Sequence, residues 1–228
     1  MEKKIRIEKV STWSTVIAFF FTFIFWGIAV WSWGEFNTIK TATEQYIIYE
    51  DAIKQMQEGS DYLTEQVRLY TMTGEKQYMD NYFKEKENDK KREASLESIK
   101  KEFGETEMYY VIQAAYKNSE ELMNIEYKAM RLVVENTGLS REAWPQEIQD
   151  IKLSYPESDL SATGKMRTAQ LLVSNNSYQA AKERITNKCQ ECKSLLADTT
   201  RNVQGKSIRI SKEIVKKLEG CMAVLVAL

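Results

Sequence analysis

The sequence predicts an all-α protein with an N-terminal transmembrane helix, an antiparallel four-helix bundle and the start of a second transmembrane helix at the C-terminus. Two observations carry this prediction. Residues 10–34 run VSTWSTVIAFFFTFIFWGIAVWSWG without a charged side chain, and about 20 such residues cross a hydrocarbon core. The remaining chain is rich in good helix formers, its apolar residues recur at steps of three and four, and it contains few breaks, with nine glycines and two prolines in 228 residues.

The first transmembrane helix is bracketed by Trp13 on one side and by Trp31 and Trp33 on the other, as expected at the two membrane interfaces. The preceding tail, residues 1–9, carries four basic and two acidic side chains. Because short basic flanks stay in the cytoplasm, we expect the tail inside the cell and residues 35–220 outside. A cleaved signal peptide is the alternative, although the apolar run is longer than the core of a signal peptide.

The C-terminal residues 221–228, CMAVLVAL, are wholly apolar but too few to span a bilayer. We interpret them as the truncated start of a second transmembrane helix that returns to the cytoplasm. An apolar tail on a complete protein is the alternative. The predicted localisation is therefore the cell membrane.

The segment between the anchors is long enough for one well-cored domain. Glycines 74, 104, 138 and 164 are the predicted breaks between its helices, because glycine commonly ends helices. The predicted helices run from the membrane to Thr73, over 75–103, over 105–137 and from about 165 to 219. Residues 138–164 form a long distal loop, with a short helix expected around 144–153. Four apolar stripes on helices of this length favour an antiparallel bundle.

Composition excludes several functions. The net charge is −1, which gives no basic footprint for nucleic acid, and there is no histidine to accept phosphate or bind a metal. We predict no cofactor, no metal site, no catalytic residue and no enzymatic activity in this chain. Cys189 and Cys192 are spaced C-x-x-C, which is typical of two core residues one helical turn apart; a thiol oxidoreductase is the enzymatic alternative.

The candidate ligand-binding residues lie where the apolar stripes are interrupted: Ser60, Asp89, Arg92, Glu126 and Tyr178. Counted from the distal breaks at ~1.5 Å per residue, Ser60, Asp89, Glu126 and Tyr178 come out at one level, about 20 Å from the distal end. An unpaired charge in a core costs several kcal/mol, so this polar layer must be paired, hydrated or filled by a ligand. Two interpretations of this layer remain. It is either a structural layer with an Arg92–Glu126 or Arg92–Asp89 pair, or a binding site for a small molecule.

The other charged side chains of the bundle are interpreted as solvated. This applies to the outward-facing charges of residues 84–92 and to Arg68 and Arg131, which sit away from the apolar stripes. A contact with a second subunit is the alternative for the two arginines.

The segment YLTEQVRLYTMTGEKQYMDNYF resembles the helix-turn-helix signature of CHASE-type extracellular sensor domains of the third class. The layout also resembles chemoreceptor sensor bundles. The segments ELMNIEYKAMRLV and NKCQECKSLLADTTRNVQ are similar to sensor regions of hybrid histidine kinases and GGDEF-type diguanylate cyclases. The resemblance covers residues 40–220. It implies an input region of a bacterial transmembrane receptor that acts as a homodimer, and it leaves the type of output module open.

We therefore expect the chain to sense a ligand or another stimulus and to pass a small displacement of its last helix across the membrane. The expected partners are the membrane, a second copy of the chain and a small-molecule ligand. A membrane-tethered structural or interaction bundle in an envelope complex is the alternative function.

Overall fold

The structure, a computed structural model, describes the backbone of residues 2–226 and the side chains of residues 12, 13, 15–220 and 223. Over the described backbone the chain is helical and forms no strand, which confirms the all-α prediction. The α-helices are α1 (Glu2–Thr73), α2 (Lys76–Lys84), α3 (Lys91–Phe103), α4 (Glu107–Val134), α5 (Gln146–Asp150), α6 (Ala162–Leu172) and α7 (Asn176–Val226). The side chains of the predicted tail, 1–9, and of the predicted second anchor, 221–228, apart from Ala223, lie outside the described set.

The chain divides into two compact units. We call Met1–Tyr46 with Asp198–Leu228 the terminal unit, and Ile47–Ala197 the central unit. Helices α1 and α7 contribute to both units, whereas the five shorter helices belong to the central unit.

The break after α1 is the one that the sequence predicts. α1 ends at Thr73, and Gly74 follows with a φ of 71° while its N–H donates to the carbonyl of Tyr70 at 2.8 Å. A residue with a side chain rarely adopts this left-handed conformation, so glycine suits the position. Gly104 follows α3 directly, with a φ of 58°, whereas α4 ends at Val134, four residues before Gly138, whose φ is 74°.

The second predicted helix, 75–103, is not continuous. α2 passes into a π-helical turn over Glu85–Asp89, and Lys90 then adopts a left-handed conformation with a φ of 50° before α3 begins. The prediction of one helix was wrong here because good helix formers such as Glu and Lys do not reveal a change in hydrogen-bond register. π turns are rare and frequently lie at functional sites.

The fourth predicted helix is also interrupted. α6 begins before the predicted break at Gly164, since Ser161 Oγ caps its N-terminus by accepting from Gly164 N at 3.2 Å. The chain then turns at residues 173–175, and Asn175 Oδ1 accepts from Tyr178 N at 2.8 Å to cap α7. Asparagine is a favoured N-cap, and this signal in the sequence was overlooked. The predicted short helix of the distal loop is the five-residue α5.

α4 lies at the centre of the central unit and packs against α3, α5 and α6. The core is completed by side chains from α1, α2 and α7. Fully buried apolar residues include Ile53, Met56, Leu63, Val67, Met79, Ile99, Ile112, Ala115, Met130, Val133, Ile185 and Cys189.

In the terminal unit, α1 and α7 pack side by side and run antiparallel. Ser207 Oγ donates a hydrogen bond to Glu35 Oε2, and Gln204 Nε2 donates to Thr43 Oγ1 at 3.1 Å. The less exposed positions recur at steps of three and four on both helices. They are Phe21, Ile24, Ile28, Trp31, Glu35, Ile39 and Ala42 on α1, and Gln204, Ser207, Ser211, Ile214 and Leu218 on α7.

This register has a consequence for the predicted anchors. Glu35, the first residue after the charge-free run, lies level with Ser207. α7 continues for thirteen residues from Ser207 to Gly220, a distance of ~20 Å along the helix. The predicted outer ends of the two anchors, Gly34 and Gly220, therefore lie at different levels.

Among the described residues, one helix is long and apolar enough to cross a membrane. It is the N-terminal part of α1, where an 18-residue window has a mean hydropathy of 2.0 and no buried side chain. Large apolar groups such as Phe19 and Trp26 are exposed by 65% and 67%. An exposed apolar surface of this kind marks a site of membrane or protein contact.

Candidate functional site

Glu126, in the middle of α4, is a buried acid that is only 1% exposed. Tyr82 OH donates to its Oε2 and Tyr178 OH donates to its Oε1, each at 2.6 Å. Thr64 Oγ1 lies 3.5 Å from Oε1. We call Thr64, Tyr82, Glu126 and Tyr178 the carboxylate cluster, and its members come from α1, α2, α4 and α7 in that order.

Burial raises the pKa of Glu126 above its ordinary value of 4.5. The hydrogen bonds from Tyr178 and Tyr82 oppose this effect and lower the pKa, as do the more distant charges of Lys182 and Arg92. Burial destabilises the charged form of a carboxyl group, whereas hydrogen bonds donated to that form stabilise it. The cluster therefore holds an acid whose protonation depends on whether both phenols remain in place.

The two tyrosine hydroxyls donate to the Glu126 carboxyl group. Burial and the neighbouring Glu126 carboxylate raise the pKa of Tyr82 and of Tyr178 well above 10. A tyrosine in a core usually finds a partner for its hydroxyl. Both residues stand at core positions; Tyr178 was predicted as part of the polar layer, and Tyr82 was not.

Ser60 is 2% exposed and lies beside this cluster on α1. Its carbonyl accepts from Thr64 Oγ1 at 3.1 Å, and its Oγ accepts from Lys182 Nζ at 3.4 Å. Lys182 also forms an ion pair with Asp61. Thr64 was missed at the sequence level, although a threonine one helical turn after Ser60 on the same face is a signal that the polar layer extends along α1.

Arg92 is 1% exposed, but neither of its predicted carboxylate partners contacts it. Its Nη1 donates to Ser119 Oγ at 2.8 Å and lies 3.2 Å from Met123 Sδ, while its Nη2 pairs with Glu93 Oε1 at 3.4 Å. The predicted Arg92–Glu126 and Arg92–Asp89 pairs were therefore wrong. The left-handed residue before α3 changes the direction in which the arginine leaves its helix.

Gly59 explains how the π turn approaches α1. A Cβ atom at this position would lie 2.9 Å from Arg92 Cγ, 3.1 Å from Glu85 Oε1 and 3.3 Å from Lys91 Cβ. Glu85 is itself 2% exposed, and its Oε1 accepts from Lys91 N at 3.2 Å. Only a residue without a side chain allows this contact, so Gly59 is needed for the close packing of two buried charged residues against α1.

Asp89, the fifth predicted site residue, lies outside the buried layer. It ends the π turn, its side chain is 42% exposed, and its Oδ2 is 3.9 Å from Lys84 Nζ. The depth argument assumed one regular helix from Gly74 to Gly104, and the π turn breaks that assumption. The structure thus brings Ser60, Glu126 and Tyr178 together and places Arg92 next to them over Gly59.

Arg68 and Arg131 are not solvated, contrary to the prediction. Arg68 Nε donates to the carbonyl of Val173 at 3.0 Å, and its guanidinium carbon lies 5.3 Å from the centre of the Tyr178 ring. Arg131 pairs with Glu135 at 2.8 Å, and its guanidinium carbon lies 4.6 Å from the Trp144 ring. The sequence pattern could not reveal the contacts with Val173 and Trp144, because these two residues lie in irregular segments, whereas the Arg131–Glu135 pair has the i, i+4 spacing of neighbours on one helix face.

Cys189 and Cys192 are free and fully buried. Burial raises the pKa of the Cys189 thiol to about 11 and that of the Cys192 thiol to about 12. A reactive thiol needs the opposite, a lowered pKa and access to solvent. The geometry therefore disfavours the thiol oxidoreductase alternative and agrees with two core residues.

The carboxylate cluster can bind or release a proton, and it can exchange one hydrogen-bond donor for another. Both changes alter how α7 is held, because Tyr178 lies in the first turn of α7. Among the described residues, no group of three or more acidic or cysteine side chains is arranged to hold a metal ion.

Comparison with known proteins finds no family model, curated protein or solved structure with a significant match to this chain.

Proposed function

We propose that the chain is the extracytoplasmic input region of a bacterial transmembrane signalling receptor. In this proposal the central unit is an antiparallel four-helix sensor bundle, α1 supplies the membrane anchor, and α7 carries the response towards the cytoplasm. The exposed apolar surface of α1 supports the anchor. The motif around Gly74 supports the sensor class. The basic tail before the anchor supports the orientation.

One observation carries the signalling part of the proposal. The buried acid Glu126 is bonded to Tyr178, and the helix that begins two residues before Tyr178 is unbroken to Val226. A ligand, proton or other stimulus that changes the hydrogen bonds of Glu126 changes the attachment of this helix. Displacements of 1–2 Å in packed helices are a known form of transmembrane and interface switching. We further propose that the receptor acts as a homodimer.

The proposal is tested by joining the second transmembrane helix and the kinase module of a receptor histidine kinase of known activity after Gly220, and measuring the kinase output in cells. Tyr178→Phe and Glu126→Gln each remove part of the cluster with little change in volume. We expect both to change the output several-fold at an unchanged amount of protein in the membrane. The matched control is Lys54→Gln, a substitution on an exposed stretch of α1, which should leave the output unchanged. Wild-type output from both cluster variants would contradict the signalling role.

A second function, a membrane-tethered structural or interaction bundle, is favoured by a different observation. Both oxygens of Glu126 already accept short hydrogen bonds within the chain. A fully satisfied polar layer can serve only to fix the pairing of helices. Under this function, the two cluster variants lower the melting temperature of the chain while the output of the fused kinase stays constant.

A further inference from the structure

The last part of α7 is strongly basic. Between Arg201 and Glu219 the chain has six basic residues and two acidic ones. The part of α1 that it meets, residues 35–46, has two glutamates and one lysine. In the proposed orientation this basic segment is extracytoplasmic, where the usual bias of membrane proteins does not place basic residues. Its charge therefore needs its own explanation.

The basic residues lie on the side of α7 that faces away from α1. Arg209, Lys212 and Lys216 lie together on one exposed face of α7 with Gly205, Ile208 and Glu213. The exposed apolar side chains of Ile208 and Val215 lie beside Lys212 and Lys216 on this face, together with Ser211 and Glu219. We call Ile208, Arg209, Lys212, Val215 and Lys216 the basic face.

Most of this charge is not neutralised within the chain. Arg209 meets Glu213 at 3.6 Å, but its side chain remains 83% exposed. Within the described part of the chain, Lys212 and Lys216 form no ion pair with a carboxylate. Exposed ion pairs contribute little, so the basic face presents a net positive charge beside apolar side chains.

The alignment of α7 with α1 in the terminal unit shows which residues of α1 lie beside the basic face. Counted from the Ser207–Glu35 hydrogen bond, Arg209 lies near the level of Trp33, and Lys216 lies near that of Trp26. Tryptophan is enriched where the headgroups of a bilayer begin. A lysine or arginine cannot lie in hydrocarbon without a large cost, whereas its long side chain extends readily to headgroups.

We propose that the basic face of α7 binds the headgroups of anionic phospholipids in the extracytoplasmic leaflet. This inference rests on the proposed membrane anchor and orientation. The ammonium and guanidinium groups match the lipid phosphates, and Ile208 and Val215 match the upper part of the acyl chains. The outer membrane interface then lies alongside residues 26–33 of α1 instead of beyond Gly34, which reduces the difference in level between the two predicted anchors.

The test uses the full chain in bilayer nanodiscs with nitroxide-labelled phosphatidylcholine or phosphatidylglycerol. All proteins carry Lys3→Gln, Lys4→Gln and Lys9→Gln, so that the basic tail does not bind lipid in the other leaflet. The fraction of motionally restricted label measures lipid binding by electron paramagnetic resonance. We expect a preference for phosphatidylglycerol that weakens with added salt. Arg209→Gln, Lys212→Gln and Lys216→Gln together should reduce it by up to about a hundredfold, because each basic side chain near an anionic surface changes binding by about fivefold.

The matched control replaces three exposed lysines of the central unit, Lys54, Lys84 and Lys90, by glutamine, and it should keep the preference. Insertion is checked on the same samples by quenching of tryptophan fluorescence with a nitroxide on the acyl chain. An inserted chain with no preference for phosphatidylglycerol, or a preference that survives in the basic-face variant, overturns this inference alone. A chain that does not insert overturns the proposed anchor as well.

Discussion

The terminal and central units place their apolar side chains on opposite sides. In the central unit, Met56 and Val67 of α1 are fully buried. In the terminal unit, Phe23 and Trp26 of the same helix are 71% and 67% exposed. The apolar side chains of α1 are therefore buried in the central unit and exposed in the terminal unit. Under the proposed membrane anchor, the two parts of α1 meet different solvents, water around the central unit and lipid around the exposed apolar part of the terminal unit.

The two units also differ in where they place charged side chains. The central unit buries Glu126 and Arg92 and satisfies them with phenols, a serine and a neighbouring glutamate. The terminal unit exposes its basic side chains on α7. A buried charge is tolerated only with such partners, whereas exposed lysines beside an apolar surface suit a membrane interface.

The largest expected effect comes from placing one lysine in each apolar region. Leu63→Lys buries an unpaired ammonium at a position that is 1% exposed and should cost about 4 kcal/mol or more in the free energy of unfolding. Phe19→Lys faces outward, so it should leave the melting temperature of the central unit unchanged. It should instead lower membrane insertion, at a cost of about 3 kcal/mol. Thermal melts by circular dichroism and extraction with alkaline carbonate measure the two effects. A fall in melting temperature for Phe19→Lys equal to that for Leu63→Lys would refute the contrast between the units.

The next effect concerns two glycines on the long helices. Gly59→Ala places a Cβ against Arg92, Glu85 and Lys91, and overpacking of this kind should cost about 1–3 kcal/mol. The matched control is Gly205→Ala, where the added Cβ meets nothing within 4 Å and should stabilise the helix by about 0.5–1 kcal/mol. Denaturant titration of both variants in the same detergent checks the prediction. Equal shifts in the two variants would show that the π turn does not depend on Gly59.

A smaller effect is expected at Cys189 and Cys192. Replacing both by alanine should cost about 1–2 kcal/mol from lost packing. In a Cys221→Ser background both thiols should react slowly with a bulky maleimide at neutral pH, because burial raises their pKa values to about 11 and 12. An exposed reference, Lys54→Cys, should be labelled quickly. Labelling of the native pair at the reference rate would revive a redox role.

The smallest effect is the dependence of stability on pH at Glu126. Its pKa is raised in the folded chain, so the folded state binds a proton more tightly than the unfolded state does. The stability that wild type has relative to Glu126→Gln is therefore fully present below the ordinary pKa of 4.5. It falls as the pH rises through the folded pKa. Melting curves of wild type and Glu126→Gln are recorded from acid to neutral pH. The difference in stability between the two proteins at each pH cancels the contribution of all other titrating groups.

The control for this experiment is Glu58→Gln, which alters an exposed side chain of α1 and should stay within about 0.5 kcal/mol of wild type. A wild-type advantage that grows with pH would mean that the phenols stabilise the carboxylate more than burial destabilises it.

The sequence predicted the features that depend on local chemistry or long apolar patterns. The end of α1 at Gly74 was predictable from the residue that the turn requires, and the burial of Glu126 from its position between Leu122 and Met130 on one face of α4. The π turn was not predictable, because residues 84–91 contain no large apolar side chain whose spacing would show a change of helical period. That single change of register moved Asp89 to the surface and gave Arg92 new partners. The contacts of Arg68 with Val173 and of Arg131 with Trp144 depend on irregular segments, whose paths no periodicity describes.

The central claim is that α1 crosses a membrane and holds the central unit outside the cytoplasm. A pair of reporters fused after Glu157, in the distal segment, tests it directly. Alkaline phosphatase is active only outside the cytoplasm, and its fusion should be active. Green fluorescent protein fluoresces in the cytoplasm but not after export in an unfolded form, and its fusion should be dark. A bright fluorescent fusion together with an inactive phosphatase fusion would contradict the account.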